Sequence, residues 1–117
     1  MPTLTVQFQP ERTRRPNLRL VQQLLCSAAI RDDGIRLFEV RKGRDRGPYI
    51  NFNFRGSRAT LTRLWRYLQT KVLADRRVGA QLRRATIIVC EGSRGWDNYR
   101  LLHHFDPKIG CDTLPGG

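Results

Sequence analysis

The sequence contains few acidic residues. It has 10 Asp and Glu against 22 Lys and Arg, which gives a formal net charge of +12 in 117 residues. An isoelectric point of about 11.2 is typical of proteins that bind polyanions. Arginine is much more frequent than lysine, a bias that genome composition alone can produce, but the net charge comes from the scarcity of acids. The composition therefore points to a negatively charged partner.

Long apolar segments are absent as well. No stretch approaches the roughly 18 apolar residues of a membrane span, and the first residues, MPTLTVQFQPERTRR, do not form a secretory signal. The three cysteines are an odd number without a C-x-x-C pair, which favours reduced thiols over a disulfide framework. We expect Cys26 near the core face of a helix and Cys90 in an apolar strand, both as inert buried thiols. These features predict a cytoplasmic protein with no membrane partner.

Motifs of catalysis are also missing. The chain has no glycine-rich phosphate loop, no G-x-S-x-G segment and no carboxylate pair. Asp97, His103, His104 and Asp106 are close in sequence, with Cys111 nearby. Adjacent histidines point to opposite sides of a strand, so they do not readily serve one ion. We therefore predict no catalytic residue, no metal site and no cofactor: the protein is not expected to be an enzyme.

The hydrophobic pattern that is present predicts four strands and two helices. A first helix opens near Asn17, and a second begins at a Ser57 cap and fades near Gly79. The Leu61, Leu64, Trp65, Leu68 and Val72 side chains form the core stripe of the second helix. Alternating or β-branched runs predict strands over 4–9, 35–41, 49–54 and 86–90, with a loop over 42–48.

The order β-α-β-β-α-β in a chain of this length predicts an α+β fold. Its leading form is a ferredoxin-like two-layer sandwich, with a four-stranded antiparallel sheet and both helices on one face. We expect a single domain over residues 1–117, with a flexible tail from about 107 to 117. The segment after Gly92, which contains Trp96 and Tyr99, is expected to be a partial strand or a turn at an edge.

In this arrangement the strands over 4–9 and 49–54 are central neighbours with one open face. The RNA-recognition module exposes aromatic rings on such strands, where bases stack. Here Phe52 and Phe54 fall on the buried parity, which argues against base stacking on the central strands. The side chains predicted to face outward are mainly amides and hydroxyls, namely Thr5, Gln7, Gln9, Tyr49, Asn51, Asn53 and Arg55.

The positive charge is concentrated in one part of the chain. Residues 57–85 hold eight basic residues and one acid, a net charge of +7. On a helical wheel Arg63, Arg66 and Arg77 oppose the core stripe, and no glutamate compensates them at helical spacing. The second basic group, in and beside the hairpin loop, consists of Arg41, Lys42, Arg44 and Arg46. A third group, in the loop bounded by Pro10 and Pro16, consists of Arg12, Arg14 and Arg15.

Two functions fit these observations. The first is a small basic module that binds RNA or DNA mainly through phosphate contacts, using the helix face and the hairpin bases. The alternative is a protein–protein interaction module, for instance a homodimer formed through the amide-rich sheet face. The outcome depends on whether the basic groups adjoin in space.

Overall fold

The computed structural model describes residues 1–114 and shows an α+β fold built on one antiparallel sheet in the order β2-β3-β1-β4-β5. The strands are β1 (Thr3–Phe8), β2 (Leu37–Arg44), β3 (Pro48–Arg55), β4 (Thr86–Gly92) and β5 (Gly95–His103). The helices are α1 (Leu18–Ile30), α2 (Arg58–Tyr67) and α3 (Gly79–Ala85). A 3₁₀ turn (Pro10–Arg12) follows β1, and a π-helical turn (Leu68–Val72) extends α2.

The α+β class is confirmed, whereas the prediction of four strands and two helices is too low in both numbers. All four predicted strands are present, and β1 and β3 are neighbours as expected. The segment after Gly92 is a full nine-residue strand, β5, paired antiparallel to β4. Its turn needs Gly95, whose φ of +69° is a conformation that glycine adopts readily.

The hydrophobic core lies between the helices and one face of the sheet. Leu4 and Phe8 of β1 and Phe52 and Phe54 of β3 are all fully buried on this face. All five predicted stripe residues of the second helix join the same core, together with Val21, Leu25 and Ala28 of α1. The strict alternation of the central strands leaves their other face, the open face, without a helix layer.

The second helix begins as predicted but ends earlier. The Ser57 hydroxyl accepts a hydrogen bond from the Thr60 amide at 3.2 Å, which caps α2. At the other end the Leu73 amide donates to the Leu68 carbonyl at 2.7 Å, a π-type bond that loosens the last turn. Gly79, near which the predicted helix fades, instead begins the separate helix α3.

Gly79 is required by close packing, which gives a stability prediction. A Cβ at this position would lie 2.5 Å from the Leu73 carbonyl oxygen, a backbone atom that cannot move aside cheaply. Gly79→Ala is therefore expected to lower the free energy of unfolding by about 1–3 kcal/mol, measured by urea denaturation. Gly110→Ala is the matched control, because a Cβ there meets no atom within 4 Å. Equal stability of the two variants would contradict the close approach.

The β2–β3 hairpin is longer than predicted and its loop is shorter. The strands pair up to Arg44 and Pro48, so the loop is reduced to Asp45, Arg46 and Gly47 instead of 42–48. Arg46 and Gly47 have φ angles of +57° and +145°. An arginine in the left-handed region is uncommon, because an L side chain is disfavoured there by about 1 kcal/mol.

The strands of the sheet have two ends, and we call one of them the hairpin end. It comprises the β2–β3 loop, the chain after Phe8 and the start of β4 at Thr86. The pairing of Phe8 with both Ile50 and Thr86 places these segments at the same end. The C-terminal segment returns along β5, where the Asp112 amide donates to the Leu101 carbonyl at 2.6 Å. Leu114 is buried, and residues 115–117 of the predicted tail lie outside the described residues.

Within residues 1–114, no helix combines the length and the apolar character that crossing a membrane requires.

Candidate nucleic-acid interface

Arg63, the first predicted site residue on α2, is held by an acid from another element. Its guanidinium forms a bidentate salt bridge with Asp32, in the turn after α1, with Nε–Oδ2 and Nη2–Oδ1 distances of 3.0 and 3.3 Å. The hydrogen bond from Arg63, helped by the Gly34 amide, lowers the pKa of Asp32, and the same contact raises the pKa of Arg63. The acid that the helix lacks at helical spacing is thus supplied by a residue distant in sequence.

The other two predicted residues of this group do not share one helix with Arg63. Arg66 is exposed on α2, but Arg77 lies beyond the π-helical turn, in the turn that leads to α3. Its guanidinium contacts the Asp75 carboxylate at 3.0 Å, and the bond from Arg77 lowers the pKa of Asp75. The predicted continuous basic helix face is therefore interrupted after α2.

The four predicted hairpin bases are divided between two faces of β2 and the loop. Arg41 pairs in register with Asn51 and shares the open face, where its Nε lies 3.2 Å from Glu39. Lys42 and Arg44 have the opposite parity, and Arg46 is at the tip. All four side chains are exposed. Only Arg44 and Arg46 are close to the hairpin end.

The N-terminal basic loop adjoins the hairpin tip. Arg12 and Arg46 line the same cleft of about 670 Å³ at the hairpin end. The Arg12 guanidinium lies 3.5 Å from the centre of the Phe105 ring, so a cation–π contact ties the 3₁₀ turn to the end of β5. The other lining residues, mostly polar, are Gln7, Gln9, Glu11, Asp45, Gly47, Pro48, Tyr49 and Ile87.

A third basic segment, at the end of α3, reaches the same end of the sheet. The Gln81 side chain accepts a hydrogen bond from the Asn17 backbone N–H at 3.2 Å and donates one to the Arg15 backbone carbonyl at 3.3 Å. These two bonds fix the N-terminal loop against α3. The Gln9 backbone N–H donates to the Ala85 carbonyl at 2.8 Å, which joins the end of β1 to the end of α3. By the position of their backbone, three sequence-distant basic segments therefore meet at the hairpin end, with the members Arg12, Arg14, Arg15, Arg44, Arg46, Arg83 and Arg84. Of these, Arg83 donates through its guanidinium to the Leu73 carbonyl.

The basic residues are more exposed than the acidic ones, so the surface is more positive than the net charge alone indicates. All 22 Lys and Arg residues lie in the described part of the chain, and each of them is exposed. Half of the ten acids are partly buried instead. Asp75 shows why, since its Oδ1 accepts from the backbone amides of Arg77 and Val78 at 2.8 and 3.1 Å. Acids used as backbone caps project less negative charge into the solvent.

The open face of the central strands has the predicted polar lining. The Thr5 hydroxyl donates to Asn53 at 2.7 Å across β1 and β3, and the Asn53 amide donates to Glu39 at 3.2 Å. Gln9 donates to Gln7 at 2.9 Å along β1. Phe52 and Phe54 are on the buried side, as expected. Several polar side chains of this face are thus hydrogen-bonded to one another, whereas the buried Oδ1 of Asn51 has no partner among residues 1–114.

The sequence reasoning missed the outer half of this face, which is apolar and aromatic. Trp96 and Tyr99 are 48% and 52% exposed on β5. They line a depression of about 390 Å³ together with Ile87, Val89, Leu101 and His104. A turn signal was present, since Gly92-Ser93-Arg94-Gly95 separates a β-branched run from an aromatic one. Reading it as a hairpin would have placed these rings on the sheet.

The titratable groups outside the basic clusters differ in environment. Burial raises the pKa of the Cys90 thiol to about 11, whereas Cys26, expected to be buried, is exposed. Burial also lowers the pKa of His103, whose Nε2 lies 3.0 Å from the Arg83 carbonyl, while His104 lines the depression on the open face. Within residues 1–114, no group of three or more His, Cys, Asp or Glu side chains is placed to hold a metal ion.

Comparisons with models of protein families, with curated proteins and with solved structures found no match to this chain.

Proposed function

We propose that this protein binds nucleic acid, mainly through phosphate contacts made by the arginines at the hairpin end. The observation that carries the proposal is that Arg12 of the N-terminal loop and Arg46 of the hairpin tip line one cleft, and that the backbone at the end of α3 is bonded to the same end of the sheet. All Lys and Arg side chains of the chain are exposed. The acids of this end, Glu11 and Asp45, are fewer than its bases. A localised excess of exposed arginines is the electrostatic footprint of a phosphate-binding surface.

The hairpin end is favoured over the α2 face as the main contact surface. Arg63 and Arg77 each hold a carboxylate, and a phosphate would have to compete with that partner. Arg44 and Arg46 instead project from a strand end and a tight loop, where a nucleic-acid backbone has access. In this proposal Arg66 and the other α2 bases add long-range attraction, and Arg41 flanks the open face.

The strand order supports a finer description of the fold. The order β2-β3-β1-β4, with α1 and α2 as the crossovers, is the one expected of a ferredoxin-like core. We propose that β5 and α3 are additions to such a core. The proposal adds no function by itself, since this arrangement serves many unrelated functions.

A salt titration tests phosphate binding. The affinity for labelled single-stranded and duplex oligonucleotides is measured by fluorescence anisotropy at about 50 and about 200 mM monovalent salt. Contacts to three or more phosphates should weaken binding at least about 15-fold over this range, because each contact releases condensed counterions. Absence of binding at the lower salt concentration, or binding that does not change with salt, would refute the proposal.

A second function, homodimerisation through the sheet face, is favoured by one observation, the apolar depression around Trp96 and Tyr99. Its drawback is electrostatic, because two copies that each carry +12 repel one another.

A further inference from the structure

We infer that the outer half of the open face, formed by β4 and β5, is a stacking platform for the unpaired bases of a single-stranded nucleic acid. The inference rests on the proposed function and adds the class of nucleic acid. It begins from two large aromatic side chains, Trp96 and Tyr99, about half exposed on β5, in a segment where the pairing of β5 with β4 shifts register. Such rings are ordinarily buried, where their large apolar area stabilises the fold.

The surroundings of the two rings form a shaped apolar floor. Tyr99 and Leu101 are two residues apart on β5 and therefore share a face of the sheet. Leu101 pairs in register with Val89, which is itself opposite Thr5 on the open face. Ile87, two residues before Val89, completes the floor. Flat bases can lie on such a surface without specific hydrogen bonds, which makes stacking tolerant of sequence.

The platform is connected to the phosphate-binding end. Ile87 lines both the depression on β4 and β5 and the cleft that contains Arg12 and Arg46. His104, in the depression, contacts Phe105, in the cleft, with the ring centres 4.2 Å apart and the rings tilted by 38°. Apolar rings for bases thus lead directly to arginines for the backbone, and single-strand-binding surfaces combine these two features.

The charge and the geometry favour this occupant over the alternatives. A duplex keeps its bases stacked inside and offers no face to Tyr99, so it contacts the hairpin end alone. A second copy of this chain would bring the net charge of +12 against itself. A single strand fits both the arginines of the hairpin end and the apolar platform on β4 and β5, because it supplies phosphates and free base faces together.

The test compares oligo-U, oligo-dT and a blunt duplex, each about 12 nucleotides long, on the intact chain and its variants. Tyr99→Leu keeps an apolar side chain but removes the ring, and it should weaken binding of single strands about tenfold while duplex binding changes less than about twofold. Tyr99→Phe keeps the ring and should bind as the parent does. Ile30→Ala, a substitution of a 74% exposed residue on α1, is the control for loss of exposed apolar surface.

Tryptophan emission gives an independent readout. The chain has two tryptophans: Trp65, on α2, is buried, whereas Trp96 is exposed. Single strands should quench the Trp96 emission, and Trp96→Phe should abolish the quenching and leave the Trp65 signal. The comparison of oligo-U with oligo-dT shows whether RNA or DNA is preferred, and stacking on either supports the platform.

Three results would overturn the inference. Equal affinity for single strands and duplex, with Tyr99→Leu binding as the parent does, would exclude the platform and leave phosphate binding intact. Failure to bind any of the three oligonucleotides at low salt would refute the proposed function together with the platform. A dimer in sedimentation equilibrium that Tyr99→Leu dissociates would show that the face binds a second copy instead.

Discussion

Removing four arginines from the hairpin end is expected to weaken nucleic-acid binding by about 100-fold or more at low salt. The variant combines Arg14→Gln, Arg15→Gly, Arg44→Gln and Arg46→Gly. It should also lower the slope of log affinity against log salt concentration by about 3, because each lost phosphate contact removes roughly 0.7 to 1 from the slope. Anisotropy titrations at several salt concentrations measure both quantities.

The choice of glycine at two positions protects the fold. Arg15 and Arg46 have φ angles of +47° and +57°, a region in which glycine is unstrained. The Arg15 carbonyl still accepts from Gln81, since that contact is made by the backbone. The free energy of unfolding should therefore be close to that of the parent, so that a loss of binding reports the missing charges.

A second variant separates position from net charge. Arg63→Gln, Arg66→Gln, Arg76→Gln and Arg77→Gln remove the same number of charges from the region of α2. This variant should weaken binding much less, because Arg63 and Arg77 are each paired with a carboxylate. Equal losses in the two variants would mean that only total charge matters, and a larger loss in the second would return the site to the α2 face.

Phe52→Ala is expected to lower the free energy of unfolding by about 3–5 kcal/mol. Phe52 is fully buried in β3, where its register partners are Val6 on β1 and Val40 on β2. Deleting the ring leaves a cavity between the central strands and the helices that the surrounding core refills only in part. A small domain has a total stability of about 5–15 kcal/mol, so a large share of it would be lost.

Urea denaturation followed by circular dichroism measures this loss. Val40→Ala is the control, because Val40 lies on the same face beside Phe52 but is 42% exposed on the edge strand β2. It should cost less than about 1 kcal/mol, in keeping with the smaller area removed from water. A Phe52 variant as stable as the Val40 variant would mean that the alternation of β3 does not set the buried face.

The candidate site was only partly predictable from sequence. Arg44 and Arg46, and the separate N-terminal group that contains Arg12, were singled out from the sequence, but only folding brings the two groups together and adds Arg84. In the sequence, the arginines of α2 have no acidic partner at helical spacing. In the structure Arg63 nevertheless pairs with Asp32, which is 31 positions away. Charge pairing between distant elements depends on tertiary contacts, which periodicity does not encode.

The sequence by itself determined the strands with strict alternation, the two capped helices and the exclusion of Phe52 and Phe54 from the open face. These properties are local, because a period of two or 3.6 residues already states which side chains share a side. Only the tertiary structure decided that β5 completes the sheet, that Trp96 and Tyr99 lie beside β4, and that separate arginine clusters meet at one end. Those results depend on strand pairing and chain crossing, which bring together residues whose sequence positions give no sign of their proximity.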